Sequence, residues 1–337
     1  MADHGFLRAY GLRLVNVLVL VLLVAFLYRQ VSLHDLRAGL RDADLRFVAA
    51  AFALNLPVAA LFAARSHLVL ARLGHRVEPR ILVPAMILGN VAGSLTPASS
   101  GELLRAAALR SHAKIPTADG ITLVIFERSL SLYLLALGTG VCAAFVALSQ
   151  GSALLVALAS LPLLIAPLSV PRLLRLLPAR TANEQSSLVS RAFAHIRDAA
   201  AQLRIIFEDK RLLAAWSLAT LLLFAIFTLQ IWLLARSISD AVSPAQVWVA
   251  FGASQLAGIA SLLPLGLGAA DGSLAAILRK FGMTFEQGAA TAVLFRLVVT
   301  IPYGVVAILC YVYLQRVDKT SGPQSTQVEA PKPAAGM

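Results

Sequence analysis

The sequence predicts an all-α polytopic membrane protein with about six full spans and two re-entrant helix pairs. Three observations carry this. Of the 337 residues, 59% are apolar and only 14% are charged, with a mean hydropathy of +0.80. A soluble protein carries about 25% charged residues, so this chain lacks the polar surface for water and is too apolar to be disordered. Six apolar runs are long enough to cross a bilayer core, which needs about 20 residues: 11–28, 47–64, 119–148, 152–170, 212–235 and 288–314. Two more apolar stretches are interrupted. Residues 81–110 hold Asn90, Gly93, Pro97, Gly101, Glu102 and Arg105, and residues 246–279 hold Gly258, Pro264, Gly266, Gly268 and Asp271.

The first run follows Arg8 and Arg13 but leads to Tyr28, Arg29 and Gln30 without a small-residue cleavage site, so it reads as a retained helix. Loop charge then sets direction. Segments 65–80 and 171–211 are rich in arginine and read as cytoplasmic, whereas Ser149-Gln150-Gly151-Ser152 suits the outer face. The mixed segment 29–46 is placed outside, which puts both termini in the cytoplasm. By this count 81–110 enters and leaves from the inside, and 246–279 from the outside. Non-helical backbone at such depth is tolerated only within protein or beside a water-filled cavity. Within 171–211, residues 188–207 place Val189, Phe193, Ile196, Ala200, Leu203 and Phe207 on one stripe, as in a helix lying in the cytoplasmic interface or docking a partner. A disordered tail is expected over 319–337.

The interrupted stretches resemble each other. Ala92-Gly93 matches Ala257-Gly258, Pro97 and Gly101 match Pro264 and Gly268, and Leu109-Arg110 matches Leu278-Arg279. With the opposite entry faces, this predicts inverted repeats over about 47–148 and 212–314 within one membrane domain, 1–318. Such repeats are the plan of many alternating-access transporters.

Charges inside apolar segments are costly and mark sites by default. Glu127 and Arg128 lie about nine residues, roughly 13 Å, into their helix, and Arg296 lies at a similar depth. With Asn90, Glu102, Arg105 and Asp271 they form the candidate site. They either pair with one another and hold the bundle, or line a cavity for a charged group. Arginine suits phosphate and carboxylate; Glu102, Glu127 and Asp271 suit an ammonium or a coupling proton. Pro97, Gly101, Pro264, Gly266, Gly268 and Pro302 are the helix-breaking set. Ser99 or Ser100 would cap a helix beginning near Glu102, whose free amides also suit an anion.

Gly89-Asn90, Pro97, Gly101-Glu102 and Arg105 resemble the first signature of the lysylphosphatidylglycerol synthase transmembrane-domain family, also called flippase-like. Phe126-Glu127-Arg128, Pro264-Leu-Gly266-Leu-Gly268-Ala-Ala-Asp271 and Leu294-Phe295-Arg296-Leu297 with Pro302 resemble three further family segments, in order, over about 10–315. Leu265 replaces a usual glycine and Asp271 a usual glutamate. The resemblance implies movement or binding of a plasma-membrane lipid, whether a phospholipid, an aminoacylated lipid or a polyprenyl-linked lipid. About twenty residues follow 315, so the soluble aminoacyl-transferase module of larger members is not expected.

The expected activity is therefore not enzymatic. No histidine lies mid-span and no metal spacing occurs, although carboxylate chemistry remains open. No cofactor, metal, disulfide or nucleic-acid partner is expected; the +12 charge reads as basic loops on anionic lipid. The expected partners are membrane lipids, with a lipid- or glycan-synthesis enzyme as a further partner. A proton-coupled small-solute transporter and a membrane subunit of a synthesis complex are the competing readings. Oligomeric state is not encoded.

Overall fold

The computed structural model describes residues 43–96, 101–150 and 201–320. Among these, all regular structure is helical. Asp44 opens α1 (Leu45–Ala53), its carboxylate accepting the Arg46 N–H at 2.9 Å. After one turn at Leu54 the chain enters α2 (Asn55–Arg72). α3 (Pro79–Leu95) has proline at its first position, where a missing N–H costs nothing. α4 (Leu103–Ala113) ends at left-handed Lys114, and α5 (Thr117–Gln150) follows. Residues 201–208 are helical and are labelled α6. Asp209 caps α7 (Lys210–Arg236), and reciprocal capping by Ser243 and Gln246 starts α8 (Pro244–Ala260). A 3₁₀ turn, Pro264–Gly266, leads to α9 (Ala269–Lys280). α10 (Phe285–Phe295) opens with a Thr284/Gln287 capping box, passes through a π turn (Arg296–Thr300) and becomes α11 (Ile301–Thr320).

Four described stretches are long and apolar enough to cross a membrane: Leu45–Arg72, Thr117–Val146, Lys210–Arg236 and Phe285–Val317. They contain most of the predicted runs 47–64, 119–148, 212–235 and 288–314. The predicted runs 11–28 and 152–170, most of the amphipathic stripe 188–207, Pro97, Ser99, Ser100 and nearly all of the tail lie outside the described residues. The described part of that stripe packs inward: Leu203 is buried, as is its neighbour Ile206 off the stripe, and Phe207 meets Phe126 edge-on at 5.5 Å.

Interactions at the helix ends define the two ends of the bundle. At one, Arg72 Nε donates to Asp209 Oδ2 at 2.8 Å, and His112 Nε2 lies 3.2 Å from the Leu314 carbonyl oxygen. At the other, the Asp44 N–H donates to the Ser237 carbonyl at 3.1 Å, and Gly282 lies beside Ala241. The Leu212 N–H and Arg72 hold the Asp209 carboxyl below the usual carboxylate range. That contact therefore contributes at neutral pH and is lost as pH falls through the lowered value.

The α3–α4 hairpin begins and ends at the first end, and α8–α9 at the second. α3 packs against α11 and α8 against α5; α2 meets α3 as α7 meets α8. α4 meets α5 where a Cβ on Gly120 would stand 2.8 Å from Ala106 Cβ. α9 meets α10 where one on Gly288 would stand 2.9 Å from Ala275 Cα. Neither position accepts a larger residue without separating its helices.

Two expectations are corrected. The segment 65–80 does not begin a cytoplasmic loop: Ser66 to Ala71 continue the helix to Arg72, and Arg65 is only 4% exposed within the bundle. Pro302 does not break its helix. An α-helical N–H at 302 would reach the Val298 carbonyl; that oxygen instead accepts from Asn55 Nδ2 at 2.7 Å, and the π turn takes up the mismatch. Asn55 Oδ1 in turn accepts from Gln230 Nε2 at 3.1 Å. Asn55→Leu is expected to lower stability in detergent by about 1–3 kcal/mol, since the orphaned carbonyl loses its donor. Pro302→Ala in that background supplies a backbone N–H and should recover part of the loss. Thermal unfolding of the single and double variants tests this; no recovery would refute the pairing of Asn55 with the proline gap.

Candidate functional site

The glycines of α3 build one wall of the site. Gly89 and Gly93 lie one turn apart and leave a groove for the side chains arriving from α4. A Cβ on Gly89 would stand 2.5 Å from Arg105 Cβ, and one on Gly93 would collide with the Glu102 side chain. Arg105 and Glu102 are thereby pressed into the bundle, at 2% and 3% exposure. The α5 helix meets them well inside its length, where consecutive residues Glu127 and Arg128 each find a partner. Arg105 Nη1 donates to Glu127 Oε2 at 2.6 Å, and Arg128 pairs with Glu102. Ser66 Oγ donates to the other oxygen of Glu127 at 2.7 Å.

The second wall repeats part of this plan. Asp271 lies in the first turn of α9, where its carboxylate also accepts the Gly268 N–H at 3.3 Å. Arg296, at the start of the π turn, forks onto it: Nε to Oδ1 at 2.7 Å and Nη2 to Oδ2 at 2.5 Å. Thus each hairpin offers an acid at the start of its second helix to an arginine of the following helix, Glu102 to Arg128 and Asp271 to Arg296. Gly268 (φ +77) and Gly266 (φ +60) take left-handed backbone in the α8–α9 turn, and a Cβ on Gly266 would press on Gly258. Leu262 (φ 54) and Leu265 (φ 57) also take it, at the strain such residues carry.

All seven sequence-selected site residues, Asn90, Glu102, Arg105, Glu127, Arg128, Asp271 and Arg296, line one cavity of about 930 Å³ between the hairpins. Gly258 and Gly266 also line it; Gly101, Gly268 and Pro302 do not. Gly101 instead closes onto α3, where a Cβ would meet the Ala92 carbonyl. Ser94, Thr96, Ser129, Thr300 and Tyr303 add hydroxyls, and Phe224, Phe227, Phe251 and the Leu262–Leu263 tip add apolar wall. Arg128, 44% exposed, marks where the cavity reaches the surface. Among the described residues, no three His, Cys, Asp or Glu side chains gather as metal ligands would.

Sequence reasoning missed Arg65, which also lines the cavity. Its guanidinium stacks on Phe62 (5.0 Å) and Trp216 (4.8 Å) and donates to Thr220 Oγ1 at 3.0 Å. Loop-charge counting places it in a loop; the signal against that is the short apolar run Leu68-Val69-Leu70-Ala71, which resumes beyond Ser66 and His67.

A family model described as the lysylphosphatidylglycerol synthase TM region matches residues 13–307. The chain belongs to that family. It is a membrane protein of the lysylphosphatidylglycerol synthase membrane region, and the matched span contains every residue of the cavity. No curated protein matches it.

Breaking the inner pair has a defined consequence. Glu127→Gln strands the buried Arg105 charge and is expected to cost about 3–5 kcal/mol, whereas Arg105→Met with Glu127→Gln restores much of it. Thermal unfolding in detergent of the single and double variants checks this. A double variant as unstable as the single would refute the pairwise account.

Proposed function

We propose that the protein is a lipid translocase of the plasma membrane, acting without enzymatic chemistry. The observation that carries this reading is the convergence of the seven site residues on one cavity walled by both hairpins. A site built from the helix-start acids of two hairpins and the arginines of the helices behind them can hold a polar headgroup within a membrane bundle. The aromatic and leucine wall suits acyl chain beside it. Family membership supports a lipid as cargo.

The same reading makes α3–α4 and α8–α9 re-entrant pairs of an inverted repeat. Their helices are 17 and 11, and 17 and 12, residues long. They enter from opposite ends, and exchanging α2–α5 with α7–α11 preserves the main helix contacts, the Gly–Ala crossings and one acid–arginine pair, Glu102–Arg128 against Asp271–Arg296. Movement of one hairpin against the other around the shared site would alternate its access. The arginine-rich end at Arg72 and Arg110 is the cytoplasmic one by the positive-inside rule.

Purified protein in phosphatidylcholine vesicles is expected to exchange fluorescent phospholipid between leaflets. Glu102→Ala and Arg296→Ala should slow exchange at least tenfold while the protein still inserts and folds, as fluorescence size-exclusion shows. Full activity of both variants would remove the site from the mechanism; selective uptake of a soluble solute without lipid exchange would favour a solute transporter.

Orientation has a separate readout. In a background lacking Cys142 and Cys310, Ser111→Cys and Glu286→Cys should react with impermeant reagent from opposite sides of the membrane. Reaction from one side would dismiss the inverted repeat.

A further inference from the structure

The cavity's charges do not balance among the described residues. Arg65, Arg105, Arg128 and Arg296 face Glu102, Glu127 and Asp271. Three of the arginines are each matched by a carboxylate: Arg105 by Glu127, Arg128 by Glu102 and Arg296 by Asp271. Arg65 is the fourth. Its hydrogen-bond and ring partners are neutral, the Thr220 and Ser131 hydroxyls and two aromatic rings; the carboxylate that acts on it most strongly, Glu127, is already bonded to Arg105 and Ser66. A guanidinium 4% exposed within a membrane bundle is expensive when the nearby carboxylates are shared with other arginines.

The unmet hydrogen bonds point the same way. Arg65 Nε, Arg105 Nε, Arg105 Nη2 and Asn90 Nδ2 are buried without a partner among the described residues, and all four belong to cavity-lining side chains. Every one is a donor. Among the described residues, no cavity-lining side chain leaves a buried acceptor unmet. Buried polar atoms are ordinarily satisfied, so a group of orphan donors around one space calls for an acceptor that the protein does not supply. An ammonium headgroup would need the reverse, free carboxylate oxygens, and here all three carboxylates are already engaged.

We propose that the cavity takes a headgroup of net charge −1, a phosphodiester without a compensating amine, and that Arg65 is its counter-charge. The phosphate oxygens accept from Arg65, Arg105 and Asn90, while the three ion pairs stay intact and frame the site. The proposal rests on the translocase reading for its lipid, but the anion site itself is read by binding alone.

The test is lipid binding by the full-length protein in neutral detergent, followed by native mass measurement. Phosphatidylglycerol (net −1), phosphatidylethanolamine (net zero) and lysyl-phosphatidylglycerol (net +1) are offered in equal amounts, with free glycerol phosphate as competitor. Phosphatidylglycerol is expected to bind at least tenfold more than either amine-bearing lipid. Arg65→Gln should abolish the preference, and Arg65→Lys, which keeps the charge, should retain most of it. Equal binding of all three lipids by the unaltered protein, a preference for an amine, or an unchanged preference in folded Arg65→Gln would each overturn the proposal. The selectivity of the unaltered protein decides the matter even if Arg65→Gln does not fold. Displacement by glycerol phosphate as effective as by the lipid would assign the site to a soluble anion and overturn the lipid assignment. Anion-selective binding without leaflet exchange would sink the translocase reading and leave this one standing, whereas exchange without headgroup preference would do the opposite.

Discussion

A charge within a membrane bundle has to be neutralised inside the bundle, and the centre of this molecule is organised by that constraint. Glu127 carries the most connections: it accepts from Arg105 of α4 and from Ser66 of α2 while extending from α5. Three helices are thereby held to one carboxylate. Such a pair contributes less to net stability than its short distance suggests, because both groups lose their hydration. Its consequence is specificity of arrangement, since any register shift of α4 on α5 would strand two charges at once.

The glycines make that arrangement geometrically available. Arg105 and Glu102 reach the cavity only because Gly89 and Gly93 let α3 and α4 approach until the stems of those side chains lie against backbone. At the other hairpin, Gly266 against Gly258 performs the same service for the turn before Asp271. Small residues are the usual means of close helix approach where lipid offers no hydrophobic drive for packing. Close approach and buried charge are therefore one design: the first positions what the second must neutralise.

Much of the site is legible in the amino-acid sequence. An ionisable residue inside an apolar segment is conspicuous, and the six chosen on that ground share one cavity with Asn90 of the first interrupted stretch. Arg65 escapes because the same rule has two readings at the end of an apolar run: a charge there ends the span or lies inside it. Only Trp216 and Thr220, the latter 155 positions away, show which. Pro302 misleads for a related reason. Proline forbids a backbone hydrogen bond in any sequence, but whether the helix breaks depends on a donor for the orphaned carbonyl, here Asn55 on a distant helix.

The apolar spans, the two interruptions and the small set of charges that a bilayer would not tolerate unpaired are all written along the chain. They follow from local hydropathy and from backbone chemistry, which each segment carries with it. Which charge meets which, why Arg65 has no carboxylate of its own among the described residues, and that both hairpins face a common space are matters of tertiary packing. Those properties arise only where helices remote in the chain converge, and no local pattern encodes the distance between them.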